Sequence, residues 1–397
     1  MVSPENEAQA KSAIQQAQAD RKTLDLCGGG TRSGIRTCGT DSPVLSSRNI
    51  SGIIEYEPAE MVMTVKAGTP ITEVEEALAA NRQTMAFEPM DHRGLMGTSG
   101  IPTIGGVFAA NVSGPRRFVA GAARDSLLGI RFINGKGEAI RAGGRVMKNV
   151  TGLDLVKLLA GSQGTLGFLT EVTFRVLPVP QTVETIVISG LDDAAATKAM
   201  AAAMALSVEV SGAAHLPQTV RSRFLGGALP EGEATVLRLE GLSPSVSVRA
   251  EKLSAVMEAF GPVARLDREE SLNLWREIRD VHPYADGTRK PLWRVSVAPS
   301  AGHQLVAALR LEAGIDAFYD WQGGLVWMRM EADPEAELLR GYIRALGGGH
   351  ATLVRASDAV RAGTPAFDPL PDAVAALSAR VKAKLDPAGI FAPGKMV

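Results

Sequence analysis

The sequence predicts an α+β protein of two unlike parts, and three observations lead to this fold class. The chain has 397 residues and 45% apolar side chains, which is enough for a large core and for more than one domain. Residues 24–180 hold three glycine-dense clusters separated by short β-like runs. From residue 181 the pattern changes to a strand–helix–strand unit that occurs four times. Units of this kind predict split βαβ folds, in which an antiparallel sheet carries helices on one face.

The first part begins its regular pattern with a strand and a helix. Residues 61–66 alternate as a strand, and Thr69, followed by a proline, gives an N-cap for a helix over 71–82. Residues 128–144 predict a hairpin with its turn at an Asn-Gly pair. Residues 167–178 predict another alternating strand, which prolines close. The first domain is expected to end there.

The second part consists of the repeated units. Their opening strands are predicted at 185–190, 235–241, 292–298 and 325–331. Their closing strands are predicted at 207–215, 262–267, 316–321 and 350–356. The N-caps expected for the helices between them are Asp192, Ser243, Ser300 and Asp333. The predicted domains are 1–180, 181–380 and a terminal segment, 381–397, that returns to the first domain.

Composition and spacing exclude several classes of protein and site. Lys and Arg number 42 against 43 Asp and Glu, which is not the charge balance of a nucleic-acid-binding protein. Cys27 and Cys38 form no CxxC pair, and the five histidines are too far apart in sequence for an HxH or HExxH metal site. The longest apolar run, 199–206, is too short to span a bilayer, and residues 1–22 lack the apolar core of a signal peptide. We therefore expect a cytoplasmic protein, with any attachment to the inner membrane made through partner subunits.

The first glycine cluster, residues 24–34, has the pattern of an anion-binding loop. A β-like run enters three glycines and is followed by Thr, Arg and Ser. Glycines let successive backbone N–H groups converge on an anion such as a pyrophosphate, and the hydroxyls and the guanidinium can add to that site. A glycine-rich turn without a ligand explains this cluster equally well when it is taken alone. A Rossmann site is disfavoured because the residues that follow lack helical periodicity.

Two further clusters make a ligand the better explanation. Residues 100–129 contain paired glycines and small residues that would let the backbone lie against a flat ligand, although close helix–sheet packing also selects small residues. Residues 160–171 form a third, turn-like cluster before a strand. One extended ligand along several loops accounts for three clusters better than three unrelated turns.

Five segments carry a resemblance to a known family. They are CGGGT (27–31), PTIGGVFAANVSG (102–114), RDSLLG (124–129), VMKNVTGLDLVKLLAGSQGTLGFLTEV (146–172) and FAPGK (391–395). In order and spacing they resemble the FAD-binding fold of the vanillyl-alcohol-oxidase/p-cresol-methylhydroxylase (PCMH) family. Residues 115–129, 320–324 and 348–356 are most similar to the FAD-binding E subunits of bacterial glycolate oxidases (glycolate dehydrogenases). The resemblance implies a PCMH-type FAD domain of two subdomains, followed by an α+β cap like the C-terminal domain of FAD-linked oxidases.

The resemblance also implies which residues bind FAD, position by position. Those expected to hold the pyrophosphate are Gly28, Gly29, Gly30, Thr31, Arg32 and Ser33. Those expected to line the flavin and its ribityl chain are Thr103, Gly105, Gly106, Ala109, Asn111 and Gly114. Those expected near the adenosine half are Gln163, Gly164, Gly167 and Thr170.

Two departures from the family pattern qualify these expectations. Relatives that attach flavin covalently through this loop carry His where this chain has Thr31, so FAD is expected to bind non-covalently. The HxxxGDGNxH cap motif, which pairs a metal with the substrate in related dehydrogenases, is missing. We therefore expect no metal and assign no catalytic residue. His92, in a glycine-flanked loop before the second cluster, could approach a flavin, although a solvated surface position is the more usual place for such a residue.

The function that the resemblance implies is that of one subunit in a complex. Glycolate, a small 2-hydroxy acid, would be oxidised to glyoxylate, and electrons would pass to an iron–sulfur partner. The expected partners are the catalytic, FAD-containing D subunit and the iron–sulfur F subunit of a glycolate oxidase. Two alternatives stay open. The chain could be a self-sufficient dehydrogenase that uses cap arginines and His350 in place of the metal motif, or a structural component without catalysis.

Overall fold

The computed structural model describes residues 1–35, 42–145 and 152–392, so parts of the segments 146–172 and 391–395 lie outside the described residues. The strands are β1 (Asp25–Cys27), β2 (Val44–Ser46), β3 (Ile53–Glu57), β4 (Val62–Lys66), β5 (Gln83–Thr84), β6 (Leu127–Ile133), β7 (Ala139–Gly143), β8 (Phe168–Arg175), β9 (Leu177–Pro178), β10 (Thr182–Ser189), β11 (Gly212–Leu216), β12 (Ala234–Gly241), β13 (Val263–Leu266), β14 (Leu292–Val297), β15 (Ile315–Asp320), β16 (Leu325–Met330) and β17 (Gly349–Arg355). The helices are α1 (Glu7–Ala19), α2 (Ile71–Ala79), α3 (Arg93–Met96), α4 (Ile104–Ala110), α5 (Arg117–Ala120), α6 (Ala123–Ser126), α7 (Leu155–Leu159), α8 (Asp193–Met204), α9 (Gln218–Arg221), α10 (Ser243–Met257), α11 (Arg268–Arg279), α12 (Gly302–Arg310), α13 (Ala336–Ala345), α14 (Asp358–Gly363) and α15 (Asp372–Leu385).

A five-stranded antiparallel sheet organises the first part of the chain, with the strand order β3-β4-β8-β6-β7. Helices α2, α4 and α7 pack on it, and a buried aromatic group forms the centre of their core. Phe108 lies between Phe87 and Phe174, with ring centroids 5.5 and 5.3 Å away. Because α4 carries Phe108, this core holds the second glycine cluster against the sheet.

A small parallel sheet completes the first part beside the first glycine cluster. Strands β1 and β2 pair in parallel, and Val2 pairs with Leu45 at one edge. At the other edge Leu24 pairs with Phe391, from the far end of the described chain. The Leu24 N–H donates to the Ile390 carbonyl at 2.6 Å, and the Ala392 N–H donates to the Leu24 carbonyl at 2.8 Å.

An eight-stranded antiparallel sheet organises the second part, in the order β13-β10-β12-β11-β15-β16-β14-β17. Helices α8, α10, α12 and α13 each follow the opening strand of one predicted unit. The sheet consists of two four-stranded halves, β10–β13 and β14–β17, and the strand order of one half is the reverse of the order in the other. The halves meet at β11 and β15, where His215 lies opposite Tyr319. The α+β class with an antiparallel sheet of split βαβ units is confirmed. The boundary proposed at residue 180 falls between β9 and β10.

The two faces of this large sheet have different neighbours. The four long helices cover one face, where they form two apolar clusters with the strands. On the other face, Phe318, Trp327 and Val236 share a core with Met90 and Leu95 from the first part. The sheet is therefore a cap, and the face opposite the four long helices packs on α11 and on the first part of the chain.

The predicted helix starts are correct at one of the four positions in the cap. Asp192 caps α8, because its side chain accepts a hydrogen bond from the Ala195 N–H. The other three expected caps are wrong: Ser243 is already the first residue of α10, and Ser300 and Asp333 precede the caps of α12 and α13 by one and two residues.

Thr69 is also not the cap of α2, which begins at Ile71 after Pro70. The Thr69 hydroxyl donates to the Lys66 carbonyl at 2.7 Å and accepts from the Gly52 N–H at 3.0 Å. It therefore closes the turn before the helix. The closing strand predicted over 207–215 is shorter, since Glu209 has φ +52° and the extended run begins only at Gly212.

Candidate functional site

The three glycine clusters meet around one cleft of about 400 Å³. Most of the residues expected to bind FAD line it. They are Gly28, Gly29, Gly30, Thr31, Arg32, Ser33, Thr103, Gly105, Gly106, Ala109, Gln163, Gly164 and Gly167. Residues that are distant in sequence thus form one continuous site, as a single extended ligand requires.

The glycines of the first cluster are needed for a close backbone approach. A Cβ at Gly29 would overlap the carbonyl oxygen of Ile101, and a Cβ at Gly100 would overlap that of Gly29. The two loops therefore lie backbone to backbone. Gly30 has φ +80° and open space around its Cβ position, so it supplies the turn that carries the loop into the cleft.

Thr103 places an unsatisfied polar atom on the wall of the cleft. The residue is 4% exposed, and its Oγ1 has no hydrogen-bond partner among the described residues. A Cβ at Gly28 would overlap this hydroxyl, so glycine is required opposite it. A buried hydroxyl without a partner is costly unless a ligand or water supplies the hydrogen bond. Its position fits a polar ligand in this cleft.

Arg32 places a positive charge in the same cleft. Its guanidinium donates a hydrogen bond to the Gly106 carbonyl at 2.6 Å, which links the first cluster to α4. Burial lowers the pKa of Arg32 to about 10, so the side chain stays charged at neutral pH. A half-buried cation beside glycine N–H groups suits a diphosphate. The donors present thus fit FAD.

The structure does not bring three of the expected FAD residues to the cleft lining, because each has another role. Asn111 ends α4 with φ +53°, and its Oδ1 accepts from the Arg124 N–H at 2.9 Å. Gly114 donates its N–H to the Phe87 carbonyl at 2.8 Å. The Thr170 hydroxyl donates to the Glu7 carboxylate at 3.0 Å.

His92 is half-buried and lines the cleft, which favours the interpretation that it approaches a bound ligand over that of a fully solvated surface position. Its Nδ1 lies 3.3 Å from the Met90 carbonyl. Burial, together with the positive charges of Arg32 and Arg294, lowers its pKa to about 3. The imidazole is therefore neutral at physiological pH. The sequence contained one signal for it, namely its glycine-flanked position directly before the second cluster.

Next to this cleft, Arg117 of the first part forms a cationic group with Arg294 and Trp321 of the cap. The guanidinium carbons of Arg117 and Arg294 lie 4.7 and 4.9 Å from the centroid of the Trp321 ring. Trp321 Nε1 donates to the Gly114 carbonyl at 3.0 Å, which fixes the ring against the second glycine cluster. Burial and the charge of Arg117 lower the pKa of Arg294 to about 10.

Two further titratable groups belong to this part of the cap. Asp320 is 3% exposed and accepts a hydrogen bond from the Trp321 N–H at 2.7 Å. Burial raises the pKa of Asp320 to about 7, so the carboxyl is about half protonated at neutral pH. Burial and the charge of Arg294 lower the pKa of His350. Sequence reasoning did not identify Asp320 or Arg294, because neither belongs to a motif with a known spacing.

Ion pairs hold the cap on the first part. Arg238, 2% exposed on β12, donates to both oxygens of Glu88 at 2.8 and 3.1 Å. In the second pair the arginine, Arg116, belongs to the first part and the glutamate, Glu240, belongs to the cap. Glu240 also accepts a hydrogen bond from the Ser211 hydroxyl at 2.5 Å. The two pairs cross the interface in opposite directions, so they fix the orientation of the cap.

Among the described residues there is neither a cluster of metal-ligating side chains nor a membrane-spanning helix. Within 1–35, 42–145 and 152–392, no group of three or more His, Cys, Asp or Glu side chains is placed to hold a metal ion. No helix in those ranges is both long and apolar enough to cross a bilayer.

Comparison with known proteins identifies the first part as an FAD binding domain, since the model of that family matches residues 1–143. The glycolate oxidase subunit GlcE of Escherichia coli (strain K12) is 30% identical over 393 residues, which cover 96% of this chain and 95% of that relative. The glycolate oxidase subunit GlcD of Bacillus subtilis (strain 168) is 32% identical over 163 residues, but these cover only 41% of this chain and 32% of that protein.

Solved structures support the fold over the whole chain. p-Cresol methylhydroxylase with substrate bound matches with a TM-score of 0.71 and 14% identity, over 99% of this chain and 88% of that one. Alkyldihydroxyacetonephosphate synthase matches with a TM-score of 0.68 and 18% identity, over 99% of this chain and 76% of that one. The PCMH-type fold expected from the sequence is confirmed.

Proposed function

Because this chain belongs to the FAD-binding family that includes the glycolate oxidase subunit GlcE, we propose that it is the FAD-binding subunit of a glycolate (2-hydroxy acid) dehydrogenase complex. One observation carries the proposal. The similarity to GlcE extends through the cap to 96% of the chain, whereas that to GlcD covers 41% of it. The reaction of the complex is the oxidation of glycolate to glyoxylate.

The cleft residues would hold FAD without a covalent bond. When bound, FAD accepts the two electrons that leave the carbon–hydrogen bond of the alcohol. The N–H groups of the loop from Gly28 to Ser33 and the Arg32 guanidinium would bind the diphosphate. The Thr103 hydroxyl would give its hydrogen bond to the ligand. Thr31 has no nucleophilic ring nitrogen, so acid precipitation is expected to release all flavin into the supernatant. Yellow colour that stays with the precipitate would contradict a non-covalent site.

The electrons would leave through a partner protein. An iron–sulfur cluster is held by four ligands, in most cases cysteines, and this sequence contains two cysteines, Cys27 and Cys38. The iron–sulfur F subunit of a glycolate oxidase is therefore the proposed acceptor, and its catalytic, FAD-containing D subunit is the proposed second partner. We place the complex in the cytoplasm, with contact to the inner membrane made by the partners.

A second candidate function is that this chain oxidises the substrate itself. The neutral imidazole of His92 in the cleft favours it, because such a group can accept the proton of a substrate hydroxyl. General bases contribute about 10²- to 10⁴-fold to enzymatic rates. In the first proposal this imidazole has no catalytic task.

An anaerobic absorbance titration of the purified chain with glycolate separates the possibilities. Under the first proposal the flavin spectrum stays oxidised until the catalytic flavoprotein partner is added. Bleaching of the flavin in the chain alone would establish the second candidate. A protein that binds no FAD when the cofactor is added in excess would contradict both and leave a purely structural role.

A further inference from the structure

Arg117 and Arg294 differ from the other arginines between the cap and the first part. Arg116 and Arg238 pair with glutamates, and Arg279 pairs with Asp280. By contrast, neither the Arg117 nor the Arg294 guanidinium lies within ion-pair distance of a carboxylate or within hydrogen-bond distance of an acceptor among the described residues, although the more distant charge of Asp320 acts on Arg294. Each is in contact with the Trp321 ring.

The register of the cap sheet shows which way Arg294 faces. In antiparallel pairs, residues directly opposite each other share one face of the sheet. Arg294 lies opposite Trp327 on β16 and Thr352 on β17. Trp327 belongs to the core that the cap shares with Met90. Arg294 is therefore on the face of the cap that lies on the FAD-binding part.

The same group adjoins the cleft. The charge of Arg294 acts on His92, which lines the cleft, and Trp321 Nε1 donates a hydrogen bond to the carbonyl of Gly114, within the second glycine cluster. The short helix Ser33–Ile35, which follows the first cluster, packs against β17 of the cap. The two cations thus stand where the cap meets the FAD cleft.

We propose that Arg117, Arg294 and Trp321 bind the carboxylate of the 2-hydroxy acid. This inference rests on the proposed function and adds the place and chemistry of substrate recognition. It gives this chain a substrate site of its own, whether the electrons leave through its own flavin or through that of a partner.

The chemistry of the group suits a small carboxylate. A guanidinium presents its N–H donors in a planar fork that matches the two oxygens of a carboxylate. Two like charges close together repel each other, and an anion between them removes that repulsion. The indole ring holds both forks in position through cation–π contact, which leaves their N–H edges available to a ligand. Asp320 is the buried carboxyl nearest in sequence to Trp321, but its hydrogen bond goes to the Trp321 backbone.

Isothermal titration of the purified full-length chain with oxalate tests the proposal. Oxalate offers carboxylates and no oxidisable carbon–hydrogen bond, so binding is measured without turnover. We expect Arg294→Gln to weaken oxalate binding by about 10- to 100-fold, the range for loss of a charged hydrogen bond. Arg117→Gln should weaken it by a smaller factor, because Arg117 is exposed.

Two control variants keep the result specific. Arg344→Gln removes an exposed positive charge elsewhere on the cap and should leave oxalate binding within about twofold of wild type. Arg294→Lys keeps the charge but loses the fork, and should bind with intermediate affinity. The thermal unfolding midpoint of every variant, measured by circular dichroism, shows whether the fold is intact.

The outcomes distinguish this inference from the proposed function. Oxalate affinity that is the same in wild type, Arg294→Gln and Arg344→Gln would overturn the carboxylate site, even if the complex oxidises glycolate. Inorganic phosphate that binds as tightly as oxalate would overturn its selectivity for carboxylates. A chain that binds oxalate through Arg294 but takes up no FAD would overturn the proposed function and leave the carboxylate site standing.

Discussion

The environment of His92 in the cleft strongly disfavours the protonated form of its imidazole. Burial and the charges of Arg32 and Arg294 hold its pKa at about 3, whereas an unfolded histidine titrates near 6.5. As pH falls below 6.5 the unfolded chain takes up a proton that the folded chain does not bind until about pH 3. Folding stability is therefore lost progressively across this window.

We predict that His92→Gln removes this loss. Between pH 7.5 and pH 5 the wild-type free energy of unfolding should fall by about 2 kcal/mol through His92 alone, at about 1.4 kcal/mol for each pKa unit. Urea titrations at the two pH values measure it. The exposed residue His282 provides the matched control, since His282→Gln should retain the full wild-type loss. Equal losses in both variants would show that His92 is protonated in the folded protein.

Asp320 should make carboxylate binding depend on pH. Its pKa of about 7 reflects burial, opposed by Arg238 and Arg294 and reinforced by Glu88. Above pH 7 it becomes a negative charge beside the proposed carboxylate site, while His92 and His350 stay neutral because their pKa values are lowered.

We expect oxalate to bind about three- to tenfold more weakly at pH 8 than at pH 6, because an ionised Asp320 repels an anion. Asp320→Asn keeps an oxygen that can accept the Trp321 N–H and should bind oxalate equally at both pH values. Calorimetric titrations of the two proteins decide the point. A pH dependence that survives the substitution would assign it to another group.

At the scale of the loops and helices, the glycine clusters serve packing as well as ligand binding. We predict that Gly29→Ala destabilises the protein strongly and abolishes FAD uptake, because its Cβ would overlap the Ile101 carbonyl oxygen. Gly97→Ala is the matched control: Gly97 has φ +62° and open space, so only about 1 kcal/mol of backbone strain is expected. Thermal unfolding and FAD binding of the two variants measure the difference. Similar effects of the two substitutions on thermal unfolding and on FAD binding would show that the two loops can move apart without a loss of stability.

The sequence predicted which strands and helices occur in the cap better than it predicted the residues at which they begin. Alternation and turn residues located the strands of the cap, because those patterns are local. The helix caps at Ser243, Ser300 and Asp333 were misplaced, since several residues before each helix could serve as a cap and the path of the chain decides among them. Glu209 could not be identified as a break in a strand, because a positive φ at glutamate leaves no mark in composition.

The candidate site likewise contains residues that the sequence predicted and residues that it could not. The glycine clusters could be identified from the sequence, because only glycine allows the close backbone approach that the cleft requires. Arg294, Asp320 and Trp321 follow the third glycine cluster by more than 100 residues in the chain, and they lie beside the cleft only through the docking of the cap. For His92 the sequence left both a place near the flavin and the more usual surface position open, because the charge of Arg294 reaches it only through that same docking.

For the molecule as a whole, the ion pairs across the interface determine how firmly the cap is held. We predict that Glu88→Gln lowers the free energy of unfolding by about 3 kcal/mol, because it leaves the buried guanidinium of Arg238 with Glu240 as its remaining carboxylate. Glu55→Gln breaks an ion pair with Arg145, on more exposed side chains, and should cost about 0–1 kcal/mol. Urea unfolding compares the two. Equal costs would show that the interface pair is well solvated.

The pairing of Leu24 with Phe391 sets the order in which this protein can be completed during synthesis. A ribosome releases all three glycine clusters long before residue 391 emerges, yet the strand that leads into the first cluster gains its outer neighbour only from that late segment. The buried Asp386 holds the segment by accepting hydrogen bonds from the Ile390 and Phe391 N–H groups at 3.0 and 2.9 Å. The cleft is therefore completed only after the whole cap has been synthesised, and a chain cut short within the cap would have every glycine of the cleft but an open edge beside it.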